Sequence, residues 1–160
     1  MNRDAEDGTA RLADELVRFV RLGARAKSML NTGEFGAEFS ALMLLFPLRY
    51  MGPLRVTDLA EVKQADPSTI SRQAAQLVKA GLARREADQV DGRATRLAIT
   101  PAGITASQRM HETRLALLGE ALSDWTPERV ATFADLFREF NGSIEALVRC
   151  DAAATSRENS

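Results

Sequence analysis

Thiol and imidazole chemistry is nearly absent from this chain of 160 residues, which has one cysteine, Cys150, and one histidine, His111. A lone cysteine forms no internal disulfide and suits a reducing cytosol, so the sequence reads as cytoplasmic. One Cys and one His also fall short of the four N or S ligands of a structural zinc site, so no metal is expected. No run of about 18 apolar residues exists to span a membrane. The stretch from Met1 to Gly8 is polar and acidic, and no signal peptide is visible in it. A Gly-rich phosphate loop, a nucleophile elbow and paired His ligands are all missing, so neither an enzyme nor a bound cofactor is expected.

What remains is ordinary in bulk and uneven in distribution. Hydrophobic residues make up 45% and charged residues 27%, enough for a core without staples. The net charge is −1, yet the stretch from Leu54 to Thr100 carries eight basic residues against six acidic ones. The middle of the chain is mildly basic and the rest is acidic.

Periodicity and punctuation divide the chain into helices around one hairpin. Leu12, Leu16, Phe19 and Val20 recur at helical spacing from Thr9 to about Leu30, and Asn31-Thr32-Gly33 breaks the pattern. Phe35 to Tyr50 reads as a very apolar helix that Pro47 should kink or end. Thr57 to Lys63 is a short helix with Thr57 as its expected N-cap. Asp66-Pro67 opens the next one, which runs to Lys79-Ala80 and stops at Gly81. Leu82 to Ala87 and Ala94 to Thr100 read as two strands joined through the turn signal Asp91-Gly92. Thr100-Pro101 opens a helix to about Asp124, and Thr126-Pro127 opens the last, to roughly Ala153. The expected fold is therefore mainly α with a small β-hairpin wing, flanked by long N- and C-terminal helices.

The last helix carries Val130, Phe133, Phe137, Phe140, Ile144 and Leu147 at alternating spacings of three and four. Such a seam suits packing along another helix. It fits either the domain's own core or a second copy of the chain. The homodimer is favoured, because three long helices flank a middle domain too small to cover them.

Two short helices, a glycine-stopped turn and a charged hairpin follow one another from Thr57 to Thr100, the layout of a winged helix-turn-helix. At about 100° per residue, Ile70, Ala74, Leu77 and Val78 cluster on one side of the second helix. The other side holds Ser68, Arg72, Ala75 and Lys79, with Thr69 and Gln76 at its margin. Arginine can bridge guanine O6 and N7, glutamine can pair with adenine, and hydroxyls bond bases or phosphates. A solvated helix face of ordinary composition is the alternative. The hairpin tip, Asp88 to Arg93, adds an arginine suited to a narrow minor groove. Asp91 is placed to hold Arg93 or a neighbouring arginine.

Leu77-Val78-Lys79-Ala80-Gly81-Leu82-Ala83-Arg84-Arg85, followed by the run from Asp91-Gly92-Arg93 to Ile99-Thr100-Pro101-Ala102-Gly103, resembles the MarR family of bacterial regulators. That family's wing signature is Asp-x-Arg and then a strand ending in Leu-Thr-x-x-Gly; here Ile99 stands in place of the Leu. Val56-Thr57-Asp58-Leu59-Ala60 is similar to the start of the family's short third helix. Pro47 departs from the pattern, since the second helix usually runs uninterrupted. The motifs cover residues 36–104, the expected DNA-binding region, with residues 9–30 and 105–153 as dimerisation helices. The resemblance implies a homodimer bound to a near-palindromic double-stranded operator, acting as a repressor. It carries over Ser68, Thr69, Ser71, Arg72 and Gln76 as groove-side positions and Asp91 with Arg93 as the wing pair. Lys79 joins them on the exposed face.

Gln108 and His111 interrupt the apolar stripe of the fifth helix, which runs through Ile104, Leu115, Leu118, Leu122 and Trp125. They are candidates for contacting an effector, which the resemblance implies is a small aromatic acid or phenol. A histidine hydrogen-bonded within a helix bundle is the plainer reading. Cys150, between Arg149 and Asp151 near the C-terminal end, shows no sign of the lowered pKa that redox sensing needs. The rival from another class is a winged-helix protein-interaction module without specific DNA binding.

Overall fold

A computed structural model describes residues 3–30, 34–88, 91–92 and 94–158. The elements in chain order are α1 (Arg3–Leu30), α2 (Phe39–Leu42), α3 (Leu45–Met51), β1 (Leu54–Arg55), α4 (Val56–Lys63), α5 (Pro67–Lys79), β2 (Ala83–Ala87), β3 (Thr95–Ile99), α6 (Pro101–Ala121) and α7 (Pro127–Glu158). They form two compact units, Met1–Leu115 and Ala116–Ser160.

The apolar segment before Met51 is two helices rather than one. The break falls at Met43 and Leu44, one turn before Pro47. Proline has no N–H to return to the Met43 carbonyl, and its ring crowds that carbonyl. The chain tightens there instead, with the Leu44 N–H bonded to the Ala41 carbonyl at 2.9 Å. Pro47 itself sits in the first turn of α3, where N–H groups have no intrahelical partner.

A third strand was not legible in the sequence. Leu54 and Arg55 pair antiparallel with Leu97 and Arg96, so the sheet order is β1-β3-β2. The hairpin register runs from Ala83 opposite Ile99 to Ala87 opposite Thr95. This extra strand moves the N-cap of α4 back from Thr57 to Arg55, whose N–H donates to the Asp58 carboxylate at 3.1 Å.

Helix α5 is held at both ends by local chemistry. Asp66 accepts from the Ser68 N–H at 2.7 Å with Pro67 in the first helical position. At the other end Gly81 has φ 71°, and the Leu82 and Gly81 N–H groups return to the Leu77 and Val78 carbonyls at 2.9 and 3.0 Å. Those two bonds make a Schellman stop, and they turn the chain directly into β2. Thr100 then closes the sheet onto α6: its hydroxyl donates to the Gly81 carbonyl and accepts from the Gly103 N–H. A Cβ at Gly103 would lie 2.0 Å from the Leu82 carbonyl oxygen, so only glycine permits this approach.

The buried cluster of the first unit runs from Ala41 to Met110 and includes Leu44, Leu45, Leu48, Leu59, Ile70 and Leu77. Helix α5 packs against α2, α4 and β2, so its apolar stripe is consumed and its other side is presented outward.

Candidate nucleic-acid interface

Ile70, Ala74 and Leu77 are the buried residues of α5. Ser68, Ser71, Arg72 and Lys79 are exposed and Thr69 is half-buried, so five of the six helix residues singled out above share the accessible side. The Arg72 guanidinium stands 3.5 Å from the Thr69 hydroxyl, one turn back along the helix. That contact is at the limit of hydrogen bonding and leaves the arginine's donors available.

Gln76 is placed differently. It is half-buried, and its Oε1 accepts the Glu38 N–H at 3.1 Å, at the N-cap of α2. The first N–H groups of a helix have no intrahelical partner, and here a side chain from α5 satisfies one nearby. Two-pronged reading of adenine needs both the oxygen and the nitrogen of the amide. With the oxygen engaged, Gln76 joins α5 to α2.

The neck of the hairpin is closed by backbone and by one carboxylate. The Asp88 N–H donates to the Ala94 carbonyl at 2.9 Å, and the Ala94 N–H to the Asp91 carbonyl at 2.8 Å. Asp88 is 7% exposed, although the sequence places it at the tip of a charged turn. One of its oxygens takes the Arg55 Nε at 2.8 Å, with the Arg96 Nε at 3.9 Å. The other accepts the Asp91 N–H at 3.1 Å. The hydrogen bond that Arg55 donates to Asp88, and then the charge of that carboxylate, raise the Arg55 pKa above its ordinary value. Arg96 also donates to the Pro53 carbonyl. Asp91 is exposed, and Arg93 lies outside the described residues. No local signal marks Asp88 for burial, because its partner Arg55 lies 33 positions away.

A separate cleft opens in the same unit beside α2, α3 and α6. It measures about 490 Å³ including the part open to solvent. Phe35, Phe39, Met43, Phe46 and Met110 supply apolar walls, and Glu34, Arg109, Thr113 and Arg114 its polar margin. Arg109 is ion-paired with Glu34. The Arg114 guanidinium lies 5.5 Å from the centre of the Phe46 ring. Neither Gln108 nor His111 lines this cleft. Gln108 is exposed, and His111 is half-buried with its Nδ1 2.9 Å from an Arg114 nitrogen. A guanidinium only donates, so the imidazole nitrogen is the acceptor in this contact. The histidine therefore reaches the cleft only through Arg114.

Among the described residues, no group of three or more His, Cys, Asp or Glu is arranged to hold a metal ion. No helix among them is long and apolar enough to cross a membrane. The side chain of Cys150 lies outside the described residues.

Comparison with known proteins places this geometry. A model of the MarR family matches residues 39–95, from α2 to the start of β3. An uncharacterised HTH-type transcriptional regulator of Bacillus subtilis, YxaD, is 34% identical over 79% of this chain and 88% of its own length. A MarR family protein from Bacillus stearothermophilus has the same fold, with a TM-score of 0.76 at 20% identity over 91% of this chain and 99% of the other. The apo form of MarR from E. coli superposes with a TM-score of 0.64 at 21% identity, over 78% of this chain and 94% of that one.

Proposed function

Since the chain belongs to the MarR family, and is thus a DNA-binding transcription regulator rather than an enzyme, we propose that it acts in the cytoplasm as a homodimeric repressor released by a small aromatic or phenolic effector. The observation that carries this reading is the accessible side of α5. Ser68, Thr69, Ser71, Arg72 and Lys79 stand opposite a fully consumed apolar stripe, on a helix capped at both ends. Such a helix lies in a major groove, with residues 36–104 as the DNA-binding region and the wing, through Asp91 and Arg93, at the flanking minor groove.

Residues 9–30 and 105–153 supply the dimer contacts in this reading. Val17, Phe19 and Val20 of α1 are exposed, as are Phe133, Leu136, Phe137, Ile144 and Leu147 of α7. Apolar faces of this extent on a single chain fit a self-complementary interface. Two copies related by a twofold axis then meet half-sites about 10 bp apart in a near-palindromic operator. The cleft between Phe39, Phe46 and Arg114 suits a flat apolar ring bearing an acidic group. Repression is relieved if that ligand binds the DNA-free state better than the bound one.

Fluorescence anisotropy on duplexes recovered by genome-fragment selection, across a salt series, tests the reading. Tight and sequence-selective binding that weakens steeply as log salt rises supports it. Equal, weak binding to every duplex would leave the fold serving as a protein-interaction module instead.

A further inference from the structure

Among the described residues, Asp88 is the only buried charged side chain, and it does not line the cleft beside α2, α3 and α6. A carboxylate removed from water is costly unless it is paired and its oxygens are hydrogen-bonded. Asp88 meets both conditions through contacts that include Arg55 at the N-cap of α4, Arg96 in β3, and the backbone N–H of Asp91 in the turn.

We propose that Asp88 is the positioning residue of the wing, a buried carboxylate that ties the neck of the hairpin to the first helix of the helix-turn-helix and so sets where the tip meets DNA. This rests on the reading that the wing contacts the flanks of the operator. The ladder between β2 and β3 does not need the Asp88 side chain. Their pairing runs from Ala83–Ile99 to Ala87–Thr95 and stops just before it. The core does not need it either, since the buried cluster takes Leu82, Ala83 and Leu97 from this sheet. What Asp88 adds is direction for the chain beyond the last paired residue. Its two oxygens are divided between an anchor and the turn: one faces Arg55 and Arg96, the other faces Asp91.

The anchor is itself held. The Arg55 N–H is bonded to Asp58 inside α4, and Arg55 pairs with Arg96 across the short strand. Arg96 returns a hydrogen bond to the Pro53 carbonyl. The turn at Asp91 is thus connected through one carboxylate to the helix that precedes α5. A wing mounted in this way keeps a fixed relation to the recognition helix, which two simultaneous groove contacts require.

The test uses the full-length protein with two variants, Asp88→Asn and Arg55→Gln, and their combination. The duplexes carry one selected operator core with A·T-rich or G·C-rich flanks. The unaltered protein should favour A·T-rich flanks, and each variant should lose about tenfold in affinity on them, the scale of one charged hydrogen bond. Discrimination among substitutions in the core of the operator should be unchanged. The combination should cost no more than either single change, because both remove one link. A variant that keeps the original flank preference overturns the proposal, and so does one that loses core and flank discrimination equally.

Hydrogen exchange decides the same question without DNA. The Asp91 and Ala94 amides should exchange faster in both variants, while the Ile70 and Leu77 amides of α5 stay protected. Unchanged exchange at Asp91 and Ala94 overturns the proposal even if flank preference moves. Failure of the unaltered protein to select any duplex counts against the DNA reading alone, because the exchange result stands apart from it.

Discussion

The segment from Ala41 to Met110 and the two longest helices treat their apolar residues in opposite ways. In the first, leucines at positions 44, 45, 48, 59 and 77 are fully buried. In α1 and α7, Val20 is 70% exposed, Leu136 60% and Leu147 64%. Along the second unit Trp125, Phe133, Phe137 and Phe140 form a ladder of rings with centroids 5.7, 5.9 and 6.5 Å apart. Rings in edge-to-face and stacked pairs at these separations attract one another, yet Phe133 and Phe137 remain exposed. The first region buries its large apolar side chains within one chain, and the long helices leave many of theirs exposed. In the homodimer proposed above, the first region keeps a stability of its own while the order of the long helices depends on assembly.

The largest effect that would sharpen this contrast comes from the buried side. Leu77→Ala removes a fully buried side chain from the inner stripe of α5 and should cost about 2–5 kcal/mol in a denaturant titration. A cost near zero would mean that the first region is not a close-packed core. The next effect belongs to the exposed side. Phe137→Asp sets a charge within the ladder and should weaken self-association by roughly 100-fold in sedimentation, the scale of an interface hot spot. Helical content should persist, and a global loss of structure would place α7 in the monomer's own core instead.

Two smaller effects separate the residues of α5 from each other. Arg72→Ala should lose about 1–3 kcal/mol on the selected operator and relax one base position. Equal losses on all sequences would assign Arg72 to phosphates alone. Gln76→Ala should lower stability by about 1 kcal/mol, the scale of one hydrogen bond at a helix terminus. Base preference should stay as it was, and a changed preference would return Gln76 to the reading face.

The recognition helix was legible because its signals are local. Asp66-Pro67 begins it, Gly81 ends it, and a stripe at helical spacing lies between them. A cap and a left-handed stop work over a few residues, so they survive in the sequence as short patterns. The hairpin was legible for the same reason, from strand alternation and Asp91-Gly92. Strand β1 was hidden because two residues carry no period, and because Leu54 and Arg55 find their partners at Leu97 and Arg96. The bond from the Glu38 N–H to Gln76 was hidden because the helical angle of Gln76 is compatible with either of two neighbours, DNA or the N-cap of α2. The cleft was hidden as well: its walls come from positions 34–46 and 109–114, and Gln108 and His111, which the apolar stripe suggested, stand outside it.

By itself the sequence determined the order and type of the main elements, the caps of α5, the wing hairpin and the family, because hydrophobic period, turn chemistry and short motifs act between near neighbours. Only the tertiary structure decided that Asp88 is buried against Arg55, that Gln76 bonds Glu38 across 38 positions, and that Phe46 and Arg114 share a cleft. Each of those depends on which distant segments meet when the apolar core closes, and burial then sets whether a charge or an amide faces water or a partner.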